Sequence, residues 1–379
     1  MNALFDQLFG EATRLTHGGH LLDATAAIQR ILSGADPAPY PGVPPADSRQ
    51  ARVKPAPSTG PAPVGLRGTP YATFEEGMFT GATGARDYKL FIPAGAADRG
   101  LPLVVMLHGC TQSPDDFAAG TRMNEVARER GFLVLYPAQA PRSNSSKCWN
   151  WFQPSDQCRG GGEPELLAAM TRHIMQIHGV DPTRVHVAGL SAGGAMADIL
   201  GREYPDLFAS VAVHSGVPKG GAHDMASAFA VMRSGSAGAS LSGGSVLMVP
   251  AARPGSRKGA RLRSRPAPAI VFHGDCDTTV HPSNGDALVD ALATAFGAPE
   301  RLVVTREKKA QAGRAVTRTV HHRAGAGVGE PSVVEHWIVH GAGHAWSGGS
   351  TQGSYTETIG PDATREMVRF FEEHPRRAV

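Results

Sequence analysis

Cysteine is scarce in this 379-residue chain. Its four residues, Cys110, Cys148, Cys158 and Cys276, are too few for a fold stapled together by disulfides. Neither C-x-x-C nor H-E-x-x-H occurs, so the sequence offers no support for a metal centre. No apolar run reaches the ~18 residues that a membrane-spanning helix needs, and no membrane association is expected. The first fifteen residues lack a basic stretch and carry Asp6 and Glu11. That argues against a secretory signal and makes a cytoplasmic location the expectation. The formal net charge is only +3, too mild to suggest a nucleic-acid partner.

Glycine and proline are plentiful, at 46 and 29 residues, and they are unevenly placed. Residues 1–35 carry two apolar stripes at helical spacing, Leu4, Leu8, Ala12 and Leu15, then Leu21, Ala24, Ile28 and Ile31. Gly18-Gly19 interrupts them, and together they predict a short N-terminal helical hairpin. Residues 36–70 hold ten prolines and read as an extended linker. From residue 71 to 379 the pattern is that of one larger domain. Apolar strands are expected around 89–93, 103–107, 132–136, 185–190, 208–213, 269–272 and 333–339. Helical segments such as 123–130, 165–178 and 194–204 fall between them. Apolar strands alternating with helices imply a mostly parallel sheet flanked by helices on both faces.

One segment departs from this rhythm. Residues 219–267 are rich in Gly, Ser, Ala and Arg, and a loop this long is expected to be a lid, a binding loop or disordered. Within it Arg253, Arg257, Lys258, Arg261, Arg263 and Arg265 form a basic run without an acid, which reads as a solvated flexible loop, with contact to an anionic surface or to product carboxylates as the alternative.

Gly189-Leu190-Ser191-Ala192-Gly193 is the one G-x-S-x-G in the chain. It directly follows an apolar strand and directly precedes a helix, the context of a nucleophile elbow. A serine hydroxyl is a weak nucleophile and needs a base. His344 lies in the Gly-flanked loop after the last strand and is the candidate, whereas His336 and His340 share a strand face and read as structural. The acid should follow the strand ending at Phe272, where Asp275 and Asp277 compete. Asp277 lies further into the loop and is preferred, with Asp275 as the alternative. An oxyanion hole needs two N–H groups. Ala192 supplies one as the residue after the nucleophile. Cys110, in the loop after the 103–107 strand, is chosen for the other, with Thr111 in reserve. This arrangement requires no cofactor and no metal.

Three tryptophans lie close to these motifs. Trp346, two residues past the base, is expected to wall a substrate pocket, and Trp149 and Trp151 are further substrate-binding candidates. Cys148 and Cys158 are only ten residues apart and are expected to pair in an oxidising compartment. Cys110 and Cys276 should stay free, because two strands would separate those that precede them.

The stretches LHGCTQSPDDFA (107–118), NEVARERGFLVLYPAQ (124–139), CWNWFQPSDQCRGGGEP (148–164), GLSAGGAMA (189–197), HGDCDTTV (273–280) and EHWIVHGAGHAWSGGS (335–350) resemble the polyhydroxybutyrate depolymerase family of esterases. That family is related to feruloyl and acetylxylan esterases. The resemblance runs from about residue 70 to 372. It implies an α/β-hydrolase fold and a Ser-Asp-His triad, with the H-G-x-x-D motif placing the acid on Asp277. It also implies an ester substrate, either short 3-hydroxyalkanoate esters and oligomers or the polyester itself. The alternatives are a feruloyl or acetylxylan esterase and, in another class, a non-catalytic protein of polymer granules. Oligomeric state is not legible.

Overall fold

The architecture follows from a run of strands with no polar face. The structure, a computed structural model, describes residues 71–95, 100–238, 265–297, 302–325 and 330–376. The N-terminal hairpin, the proline-rich linker and the basic residues from Arg253 to Arg263 all lie outside the described residues.

Ten strands form one sheet: β1 (Thr73–Gly81), β2 (Gly84–Ile92), β3 (Leu103–Leu107), β4 (Leu133–Pro137), β5 (Val185–Leu190), β6 (Ser210–His214), β7 (Ala269–Gly274), β8 (Leu302–Gln311), β9 (Arg314–Arg323) and β10 (Val334–Val339). Their spatial order is β1-β2-β4-β3-β5-β6-β7-β10-β9-β8. The six central strands from β4 to β10 pair in parallel. An antiparallel hairpin closes each edge.

The central strands are buried at every position but Ile338 of β10, as in Leu103–Leu107. Alternate side chains enter different cores. Leu103, Val105 and Leu107 join one apolar cluster, while Val104 and Met106 join the other on the opposite face. A fully buried Leu, Val or Met contributes about 1.5–3 kcal/mol, so every residue of such a strand favours the sheet. Helices cover the two faces: α1 (Pro114–Thr121), α2 (Met123–Arg130), α3 (Gly162–His178), α4 (Ala192–Glu203), α5 (Met225–Gly238), α6 (Ser283–Phe296) and α7 (Ala363–Glu373). Helix α5 occupies part of the segment read from sequence as loop.

The parallel strands place the candidate residues at their C-terminal ends. β3, β5, β7 and β10 deliver the loops that hold Cys110, Ser191, Asp277 and His344, respectively.

Candidate active site

Ser191 joins β5 to α4 in a strained turn, with φ 57° and ψ −119°. A non-glycine residue holds such angles only when its surroundings enforce them. Here the Ser191 N–H donates to the His214 carbonyl at 2.9 Å, and the Ser191 carbonyl accepts from Ala195 at 2.9 Å. The flanking glycines are sterically required. A Cβ on Gly193 would collide with the Leu107 carbonyl, and one on Gly189 would collide with the Gly193 carbonyl. The turn is therefore pressed against the end of β3, where the position of a Cβ on Gly109 lies 3.6 Å from the Ser191 Cβ.

The loop after β3 uses its N–H groups selectively. Gly109 donates to the Gln112 Oε1 at 2.8 Å, Thr111 to the Ser146 carbonyl at 2.7 Å and Gln112 to the Gly109 carbonyl at 3.4 Å. Among the described residues the Cys110 N–H has no protein acceptor, and neither does that of Ala192 at the first turn of α4. The reserve candidate Thr111 has its N–H committed elsewhere. The positive end of the α4 dipole adds to the field at Ala192.

Asp277 and His344 meet across the β7 and β10 loops. His344 Nδ1 lies 2.7 Å from Asp277 Oδ2. Asp277 is buried, and its other oxygen accepts the N–H groups of Thr279 and Val280 at 2.9 and 2.8 Å. Burial works to raise its pKa. The facing His344 charge, the nearby His273 ring at 3.5 Å and the hydrogen bond from His344 outweigh that and hold the carboxyl well below the usual carboxylate range. An ionised Asp277 accepts a proton-bearing Nδ1, which leaves His344 Nε2 as the basic nitrogen. Asp275 faces elsewhere: it binds His340 Nδ1 at 2.7 Å and the Gly341 N–H at 2.6 Å, in an exposed position.

Two further histidines brace the site as neutral groups. His214 Nε2 accepts the Ser347 N–H at 3.2 Å, so the residue that anchors the Ser191 turn also anchors the chain just past His344. Burial, with His273 and His344 nearby, pushes the pKa of His214 down to about 3. His108 Nε2 accepts the Gln139 N–H at 3.1 Å, and burial pushes its pKa down to about 4.

The tryptophans correct the sequence expectation. Trp346 is fully buried. It stacks on His214 with ring centroids 5.3 Å apart, meets Phe117 edge-on and donates to the Thr364 hydroxyl at 3.0 Å. Trp149 is equally buried and donates to the His108 carbonyl at 3.0 Å. Trp151 packs edge-on against Phe152 within the core. None presents a free face to substrate. Two of them instead hold histidines that shape the loops around Ser191.

The 148–164 stretch has a structural task that its composition did not reveal. Glu163 is buried and pairs with Arg86 at 3.1 Å. It also accepts from Gln139 and from the backbone and side chain of Asn150 at 2.7 and 3.1 Å. This satisfied carboxylate fixes the Trp149 loop beneath His108.

The disulfide expectation is also corrected. Cys148 pairs with Cys110, with Cα atoms 4.2 Å apart, while Cys158 and Cys276 are free and exposed. Nearness in sequence was the wrong guide. Cys110 follows β3 and Cys148 lies beyond β4, and these strands are neighbours in the sheet. The bond ties the loop after β3 to the Trp149 loop. Closing a 38-residue separation contributes at most about 4 kcal/mol through the unfolded chain. Cys148→Ser is expected to lose stability up to that amount by urea denaturation. Non-reducing peptide mapping should yield a Cys110–Cys148 link, and a Cys148–Cys158 peptide would contradict the pairing.

Tyr355 was not singled out from the sequence. Its ring stands edge-on to His344, with centroids 6.4 Å apart. Its backbone is left-handed, with φ 52°, a conformation that no sequence signal announces.

A serine on a strand–helix elbow, with an acid and a histidine on later strands of a mostly parallel sheet, defines the α/β-hydrolases. Within that class, the chain belongs to the Esterase PHB depolymerase family, whose family model matches residues 86–310. Ser191 and Asp277 fall inside the match and His344 lies beyond it. The chain is 36% identical over 197 residues to poly(3-hydroxyalkanoate) depolymerase C of Paucimonas lemoignei, covering 52% of this chain and 45% of that protein. It is 30% identical over 203 residues to acetylxylan esterase A of Talaromyces purpureogenus, covering 52% and 50%. The chain thus spans about half the length of the curated relatives it matches. The fold is similar to that of an acetyl xylan esterase from Aspergillus awamori, with a TM-score of 0.55 at 20% identity, covering 79% of this chain and 99% of that one.

Proposed function

We propose that the protein is a serine carboxylic ester hydrolase that works through an acyl-enzyme. The observation that carries this reading is the 2.7 Å contact between His344 Nδ1 and the buried Asp277, on loops that leave the same end of the sheet as the strained Ser191 turn. In the proposed reaction Ser191 Oγ attacks the ester carbonyl carbon while His344 Nε2 takes the hydroxyl proton. The N–H groups of Cys110 and Ala192 hold the tetrahedral oxyanion. Collapse breaks the bond to the alcohol, which leaves with the proton from His344. Water then attacks the acyl-enzyme, His344 again taking a proton, and frees the acid and Ser191. Asp277 holds the tautomer and stabilises the imidazolium.

The proposed substrates are short 3-hydroxyalkanoate esters, their oligomers or polyhydroxybutyrate, in keeping with the depolymerase relative. A second reading, acetylxylan or feruloyl ester cleavage, draws on the acetylxylan esterase relative and on feruloyl esterase B of Thermothelomyces thermophilus, 35% identical over 124 residues. A disulfide at Cys110–Cys148 is uncommon in a reducing cytoplasm, so an oxidising compartment is proposed in place of the cytoplasm. A kcat/KM panel over hydroxybutyrate oligomers, acetylated xylan, methyl ferulate and p-nitrophenyl butyrate tests the substrate class. The highest value is expected for the oligomers. A granule-binding protein without catalysis would cleave none of the four.

A further inference from the structure

Three of the non-glycine residues with left-handed backbone converge on the site: Ser191, Thr111 at φ 67° and Tyr355 at φ 52°. For a β-branched or bulky residue such angles are costly, and each is enforced by named contacts. The Thr111 N–H is held by the Ser146 carbonyl at 2.7 Å, and the Tyr355 carbonyl accepts the Trp346 N–H at 2.7 Å. The preceding Ser354 is clamped by Asp116, which accepts its N–H at 2.8 Å and its hydroxyl at 2.6 Å. Gln112, whose Oε1 fixes the Gly109 N–H, donates to the Ser354 carbonyl at 3.0 Å and to Asp116 at 2.9 Å. The loop that carries Cys110 and the loop that carries Tyr355 are therefore locked to each other.

This lock presents two hydroxyls beside the reacting groups. The Thr111 hydroxyl donates to the Cys110 carbonyl at 2.6 Å, so in its 3.4 Å contact with the Tyr355 hydroxyl it is the acceptor and Tyr355 the donor. That contact is long and weak, and the Tyr355 proton is free to turn to a better acceptor. Tyr355 is only half-buried, so an incoming group has access to it. The position of the ring selects that group. It flanks His344, which must protonate the departing alcohol, and it reaches toward the loop of the oxyanion donor Cys110. A hydroxyl beside the group that protonates the leaving alcohol is placed to meet the alcohol portion of the ester, near the leaving oxygen.

We infer that Tyr355 is a specificity-determining residue whose hydroxyl, backed by Thr111, donates a hydrogen bond to a carbonyl or carboxylate oxygen in the alcohol portion of the substrate. Esters whose leaving alcohol is itself a hydroxy acid carry that oxygen; simple alkyl esters do not. The inference deepens the esterase reading and rests on it.

The test compares two esters with one acyl group: methyl 3-(butyryloxy)butanoate, whose leaving alcohol bears a carbonyl, and sec-butyl butyrate, whose leaving alcohol does not. The wild-type enzyme should prefer the first in kcat/KM. Tyr355→Phe keeps the ring and should reduce that preference by about fivefold to tenfold, the effect of one neutral hydrogen bond. Thr111→Val should move it the same way by a smaller factor. Thermal melting of each variant checks that the fold is retained. A wild-type enzyme with no preference, or a Tyr355→Phe variant that slows both esters by the same factor, would overturn the inference while leaving the esterase reading intact. Failure of the wild type to cleave either ester would remove that reading, and the inference with it.

Discussion

Ser191→Ala should lower kcat by ~10⁵-fold or more, His344→Ala should do the same, and the double variant should lose little further. Triad members act as a unit, so once the nucleophile is gone its base has nothing left to activate. Ser191→Ala is a clean experiment here. Alanine keeps the Cβ that already tolerates the φ of 57° at this turn and removes only the hydroxyl, so thermal melting should be nearly unchanged. Residual hydrolysis above that of water would come from the Cys110 and Ala192 N–H groups and from binding alone. Additive losses in the double variant would mean that the two residues do not serve one step.

The second large effect belongs to Asp277. Replacement by Asn should cost about 10⁴-fold in kcat with little change in KM. The carboxylate is ionised and accepts from His344 Nδ1 at 2.7 Å and from two backbone N–H groups. An amide in its place can accept at only one atom. Thr279 and Val280 occupy that acceptor, which turns the NH₂ toward His344. The imidazole must then present a bare Nδ1 and a protonated Nε2, the wrong tautomer for a base. Asp275→Asn should have a far smaller effect, because Asp275 is exposed and serves His340 and Gly341. Kinetics on both variants separate the two carboxylates. If Asp275→Asn proved the more damaging change, the assignment of the acid would have to be exchanged.

How much of this was legible depended on how local the physical signal was. β3 and β5 match their sequence expectation residue for residue, since continuous burial leaves a continuous apolar run. The Ser191 elbow was equally visible, because its two glycines are demanded by backbone contacts within the motif and with β3. The β8–β9 hairpin was not seen. β8 is exposed along nearly its whole length, so Leu302–Gln311 shows neither a buried run nor an alternation. Helix α5 was hidden in a Gly- and Ser-rich stretch that reads as loop.

Contacts between distant elements were the least legible. The Cys110–Cys148 bond depends on β3 and β4 being neighbours, and sequence spacing pointed instead to Cys158. Trp149 and Trp346 flank the motifs because they support histidines behind the loops, and a motif cannot distinguish a wall from a buttress. Glu163 was not singled out from the sequence, because its partners come from β2, the loop after β4 and the Trp149 loop. Tyr355 was missed for a related reason. Its part in the site depends on a strained backbone and on a clamp built from Gln112 and Asp116, more than 230 residues earlier.

The central claim is that Ser191 is a nucleophile activated by His344. It is tested most directly by treating the protein with diethyl p-nitrophenyl phosphate and locating the adduct by peptide mass mapping. The account predicts one diethyl phosphoryl group per chain, on the peptide containing Ser191, with p-nitrophenolate released in equal amount. Labelling should fall by several orders of magnitude in rate in His344→Ala. An unlabelled Ser191 in active protein, or equal labelling of Ser191 in wild type and His344→Ala, would contradict it.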